Sequence, residues 1–315
     1  MHRKPLLDLF PEIQPYSSGF LDVRDGHSLY WEQSGNPDGV PVLMLHGGPG
    51  AGASPVMRRF FDPDHYRIII FDQRGCGRST PLASVKHNSA AHLVADIEAL
   101  RERLYIDQWH IFGGSWGSTL ALLYGIAHPQ RCLSFILRGI FLCTRGEVDW
   151  FMGGIGKIFP EAWAQFSGLF PDSDDLLNDY YTALIGDDEN LRSEAAIRWS
   201  LYEGACASLL PNYETITNDE QKAHALALAR IEAHYFLHEL LGEDTILSQI
   251  DAIRAIPASI VQGRYDMICP IAAADRLHQA WPEADYVIVP DAGHSALDPA
   301  LRSRLIEATE SMKSF

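Results

Sequence analysis

The chain has 315 residues, 47% of them apolar and 21% charged, which supplies a sizeable buried core and excludes a disordered or low-complexity protein. Its 25 Lys and Arg stand against 41 Asp and Glu, a formal charge of −16 with a pI near 5.1, so no nucleic acid and no anionic membrane surface is expected as a partner. No uncharged apolar run approaches the roughly 20 residues that span a bilayer, residues 1–17 lack a signal-peptide core, and Cys76, Cys132, Cys143, Cys206 and Cys269 form no CxxC pair or disulfide framework, so a cytoplasmic location is expected.

In chain order, residues 20–23 and 28–32 alternate in character about Asp25-Gly26 and predict a hairpin. Residues 40–45 and 66–71 are near-continuous apolar runs, the pattern of strands buried on both faces. Leu93, Val94, Ile97, Leu100 and Leu104 recur at spacings of three and four, predicting an amphipathic helix over 88–104. A strand at 109–112, a helix at 118–127 and a strand at 133–137 follow. Strand alternating with helix implies an α/β fold, a parallel sheet covered on both faces.

From 144 to 247 that rhythm gives way to helical patterns rich in Trp, Phe, Tyr and Leu, predicting an inserted helical unit. Its stretch 172–189 holds seven Asp or Glu and no Lys or Arg, and reads as a solvated surface. Strands at 256–262 and 286–289, a helix at 272–280 between them and a last helix at 299–311 complete the chain. The expected division is a core of 1–143 and 248–315 interrupted by a helical cap domain of 144–247.

The strongest chemical signal is Gly113-Gly114-Ser115-Trp116-Gly117, a G-x-S-x-G placed after a strand and before a helix, the context of a nucleophile elbow. A serine hydroxyl is a weak nucleophile and needs a base, which in turn needs an acid to fix its tautomer. In the chain order serine, acid, histidine, Asp266 follows the 256–262 strand and His294 the 286–289 strand. Asp291 and Asp298 are rival acids, too near His294 in sequence to approach its ring easily from the far side. The glycine-rich loop His46-Gly47-Gly48-Pro49-Gly50 follows a strand in the position of an oxyanion loop, so the amides of Gly47 and Trp116 are the expected oxyanion hole. The glycine-rich segment 72–79 reads as a loop bracing that site through Asp72 and Arg74. His234, His238 and Glu239 stand in the order H-x-x-x-H-E, without the internal glutamate of the zincins or a third ligand, so neither a metal nor another cofactor is expected.

Together HGGPG at 46–50, DQRGCGRS at 72–79, GGSWGS at 113–118, RGIF at 138–141, ARIEAHYF at 229–236, GRYDMICP at 263–270 and AGHS at 292–295 resemble the proline iminopeptidases. The resemblance implies an α/β-hydrolase fold, a mostly parallel doubly wound sheet with a helical cap. It also implies a serine aminopeptidase that releases N-terminal proline from peptides without a metal. By the same resemblance Glu203 and Glu232 bind the imino group, which agrees with chemistry: a protonated secondary amine offers two N–H donors and one charge to two carboxylates. Phe141, Trp150 and Phe151 are the matching candidates for the wall of a pyrrolidine slot, with Cys269 lining it, where a bulky thiol reagent would block it. Tyr202 stands where this family is expected to carry tryptophan, which alters the wall and keeps the glutamate. The rival readings are an esterase or carbon–carbon bond hydrolase acting on an uncharged molecule, and a noncatalytic binding protein on the same fold. The sequence carries no signal for the oligomeric state.

Overall fold

The computed structural model describes residues 5–210 and 215–315. Strands β1 (Ser17–Asp22) and β2 (Ser28–Gly35) form the expected hairpin, turning at Asp25 with φ 69°. There follow β3 (Val40–Leu45), β4 (Tyr66–Phe71), α1 (Ala90–Arg103), β5 (Trp109–Ser115), α2 (Trp116–Ala127) and β6 (Cys132–Ile140). The insert contributes α3 (Arg145–Asp149), α4 (Pro160–Ser167), α5 (Leu176–Ile185), α6 (Glu189–Ala207) and α7 (Asp219–His238). The chain then returns to β7 (Ala258–Gly263), α8 (Ile271–Ala280), β8 (Asp285–Val289) and α9 (Pro299–Ser311).

The eight strands form one sheet in the order β1-β2-β4-β3-β5-β6-β7-β8, with β2 antiparallel to both neighbours and every pair from β4 to β8 parallel. The two-residue period of each strand divides the core. Leu43, Leu45, Ile69, Phe71 and Ile111 face the side packed by α1, α2 and α8, whereas Val42, Met44, Ile68, Ile70 and Phe112 face α9 through Leu301, Leu305 and Ile306. Apolar side chains of the insert, among them Phe151, Trp199 and Phe236, are continuous with the first of these cores.

Polar caps set where the helices begin. Ser89 accepts the His92 amide at the start of α1, Asp188 accepts the Asn190 and Leu191 amides at α6, and Asn218 forms a capping box with Gln221 at α7. The acidic stretch lies on the surface as expected, with Asp179 half-buried and its other six acids exposed. Strand β6 differs from expectation, for it runs three residues past 137 and carries Arg138 and Gly139 to the edge where the site lies. Gly114 pairs with Arg138 but Ser115 pairs with Ile140, so Gly139 is the extra residue of a bulge.

Candidate active site

The elbow is made by close backbone approach. A Cβ at Gly113 would stand 2.2 Å from the Gly117 carbonyl, and one at Gly117 would stand 2.2 Å from the Leu45 carbonyl on β3. Only glycine lets α2 leave β5 so sharply. Ser115 at the turn has φ 57° and ψ −130°, a conformation costly for a side-chain-bearing residue and held here by the packed strand and helix on either side.

Asp266 and His294 arrive on the loops after β7 and β8, the carboxyl edge at which parallel sheets build sites. His294 Nδ1 donates to Asp266 at 2.9 and 3.0 Å, and both side chains are buried. Asp266 also accepts from the Cys269 amide at 2.8 Å and from Gln262 Nε2 at 3.1 Å, which fixes the carboxylate. Asp298 turns elsewhere, accepting the Gly293 amide. Nε2 is therefore the unprotonated nitrogen, the tautomer a base needs. Ser115 Oγ lies 4.0 Å from Cys269 Sγ and forms no hydrogen bond to His294 in this structure, where Arg138 Nη1 donates to Nε2 at 3.2 Å. Catalytic hydrogen bonds in ligand-free sites are often long and tighten when substrate binds.

The glycine-rich loop abuts the serine, since a Cβ at Gly47 would lie 3.2 Å from Ser115 Cβ. Gln73 ties the two segments together. Its amide nitrogen donates to His46 Nε2 at 3.0 Å, its side-chain Nε2 donates to the His46 carbonyl at 2.9 Å, and its Oε1 accepts from the Trp116 indole at 3.0 Å. Burial pushes the His46 pKa down, which keeps the ring neutral and able to accept. Asp72 braces the same region by accepting the Ala53 amide and pairing with Arg78. Arg74 turns away from the site, to Asp96 on α1.

The insert brings two carboxyl groups together. Glu203 on α6 and Glu232 on α7 are close enough to share a proton, and the Trp199 indole donates to Glu232 at 2.6 Å. One Glu203 oxygen is buried without a partner. Desolvation raises the Glu203 pKa to about 7, and desolvation with the adjacent Glu203 charge raises that of Glu232 well above the usual range. Both helices are fastened to the sheet edge. The Ala207 carbonyl, one turn after Glu203, accepts the His294 and Ser295 amides, and the Tyr235 ring packs 4.7 Å from that of Trp116.

Phe141 and Phe151 both pack on Phe236, and the Trp150 indole donates to the Met267 carbonyl beside the Asp266 loop. Tyr202 points into the insert, stacking on Phe166 and donating to the Phe151 carbonyl, so it reaches the expected slot only through Phe151. Cys269 is held as a neutral thiol by burial, which makes it a weak nucleophile toward thiol reagents. His234, doubted as a ligand, is committed to Tyr181 and Asn88. Among the described residues Asp25, His87 and His92 could together offer a metal three atoms, but the Arg74 guanidinium stands 3.9 Å from Asp25.

Sequence reasoning passed over Gln73, Arg138, Trp199, Phe236 and Gln262. Arg138 and Phe236 lay within motifs already singled out, and Gln73 within the glycine-rich segment; Trp199 and Gln262 make contacts that only the packing of separate elements creates.

A family profile described as alpha/beta hydrolase fold matches residues 40–300. A proline iminopeptidase of Arabidopsis thaliana is 50% identical over 313 residues, covering 98% of this chain and 82% of that protein, and one of Xylella fastidiosa is 48% identical over 308 residues, covering 96% and 98%. The crystal structure of a bromoperoxidase from Bacillus anthracis, at 16% identity, superposes with a TM-score of 0.65 over 95% of this chain and all of that one, a likeness of fold alone. The chain thus belongs to the α/β-hydrolase fold family and, within it, to the proline iminopeptidases.

Proposed function

We propose that this protein is a serine aminopeptidase that releases N-terminal proline from peptides, with Ser115 as nucleophile, His294 as base and Asp266 as its orienting acid. The observation that carries the reading is the pair of carboxyl groups buried on helices fastened to the nucleophile elbow and the histidine loop. Two acids sharing one dry site disfavour each other's ionisation. A prolinium ion relieves that conflict, supplying one positive charge and two N–H donors, one of them for the unpartnered Glu203 oxygen. An uncharged ester offers neither. Pinning the terminus there fixes the first peptide bond, and no later one, at Ser115. The aromatic residues Phe141, Trp150 and Phe151, with Cys269, then surround the ring, and residues 144–247 act as the lid that excludes water.

In this mechanism His294 takes the Ser115 proton as Oγ attacks the prolyl carbonyl, and the amides of Gly47 and Trp116 receive the oxyanion. The imidazolium protonates the leaving amine, and water repeats the sequence on the acyl-enzyme. Gln73 keeps the oxyanion loop in register with the elbow. Glu232→Gln tests the reading. It should lower kcat/KM for prolyl-naphthylamide by about tenfold to a hundredfold while p-nitrophenyl acetate hydrolysis persists. Equal loss of both activities would remove the case for amine recognition.

A further inference from the structure

Beside the triad lies a cavity of about 570 Å³, bounded by the turn Pro55–Phe60, the ends of β3 and β5, residues 295–298 and the end of α6. Met44, Met57, Phe60, Phe112 and Leu297 give it an apolar wall, and His294 and Arg138 stand within its lining. The mechanism above makes no use of Arg138. Its Nη1 donates to His294 Nε2 at 3.2 Å and to the His294 carbonyl at 3.1 Å, while its Nε is buried with no acceptor. Among the described residues no carboxylate lies within ion-pair distance of this guanidinium. The one acid in the cavity lining, Asp298, accepts the Gly293 amide. A partly buried guanidinium that feels the Asp266 charge but makes no direct ion pair, and whose Nε–H is idle, is a receptor for a carboxylate.

Position says which carboxylate. His294 protonates the leaving amine, so a cavity that shares His294 lies on the leaving-group side. In a dipeptide the leaving residue carries its α-carboxylate carbon only about 2.5 Å from that nitrogen, two covalent bonds away. A group bonded to Nε2 therefore also reaches the carboxylate. The same contact bears on the base. Arg138 occupies the lone pair His294 must use, and it places a like charge beside the imidazolium that forms. A bound carboxylate draws the guanidinium off Nε2 and offsets its charge.

Resting on the aminopeptidase reading, we propose that this cavity is the subsite for the residue after proline, that Arg138 binds that residue's free carboxylate, and that the enzyme favours prolyl dipeptides with an apolar second residue. The test compares kcat/KM for Pro-Leu, Pro-Leu-amide, Pro-Gly and prolyl-naphthylamide in the parent, Arg138→Gln and Met57→Trp. The parent should prefer Pro-Leu over its amide by about tenfold, and Arg138→Gln should bring that ratio near one whatever its overall rate. Met57→Trp, which fills the cavity, should lower the ratio of Pro-Leu to Pro-Gly by about tenfold. Should Arg138→Gln fail to fold, the parent's acid-to-amide ratio and Met57→Trp still decide. A parent that cleaves prolyl-naphthylamide yet treats Pro-Leu and its amide alike overturns the subsite alone, as does an acid preference that survives in Arg138→Gln or a Pro-Leu to Pro-Gly ratio unmoved in Met57→Trp. Failure on all four substrates overturns the aminopeptidase reading itself.

Discussion

Glu203 carries the clearest consequence of any single residue. Burial holds its pKa at about 7 in the folded chain against an ordinary 4.5, so the folded state binds the proton more tightly than the unfolded one. A raised carboxyl pKa means that stability is lost as pH climbs from about 4.5 through about 7. Glu203→Gln removes one ionising partner. Its melting temperature should match the parent's near pH 4 and exceed it increasingly toward pH 8; parallel profiles would contradict the burial of a shared proton. At this scale the sequence was most legible where chemistry imposes a fixed order: Ser115, Asp266 and His294 each stand just after a recognisable strand. Trp199 was illegible because nothing in a helical stretch marks which aromatic will meet a carboxylate on another helix.

Among the elements, β6 departs furthest from its sequence pattern. Its apolar run ends at 137, yet pairing with β5 continues through a bulge to Ile140. A charged residue followed by glycine reads as the end of a buried strand, and only the register with the elbow shows otherwise. The bulge puts Gly139 at φ 52°, where a Cβ would come within 2.9 Å of His294 Cε1 and 3.1 Å of Nδ1. Gly139→Ala should thus disturb the His294–Asp266 pair. We expect a fall in kcat of about a hundredfold, and a loss of about 1–2 kcal/mol in stability from the left-handed backbone, with the circular dichroism spectrum retained. Near-parental kcat would mean that His294 has room the structure does not give it. The other strands and α1, α2, α8 and α9 were legible because two-sided burial and helical spacing survive in the sequence.

For the molecule as a whole, the proposed function assigns bond breaking to the sheet and the choice of substrate to the insert, and the two meet where Ala207 accepts the His294 loop and Tyr235 packs on Trp116. No helix among the described residues is long and apolar enough to cross a membrane. The insert was legible as helical, but its contact with the triad loop was not, because a backbone carbonyl such as that of Ala207 leaves no mark in composition. On the proposed reading, the union of the two parts limits hydrolysis to an unblocked imino terminus. The most direct measurement is kcat/KM for prolyl-naphthylamide against its N-acetylated form. The account predicts a preference for the free terminus of about a hundredfold or more, while equal or faster cleavage of the acetylated compound would contradict it.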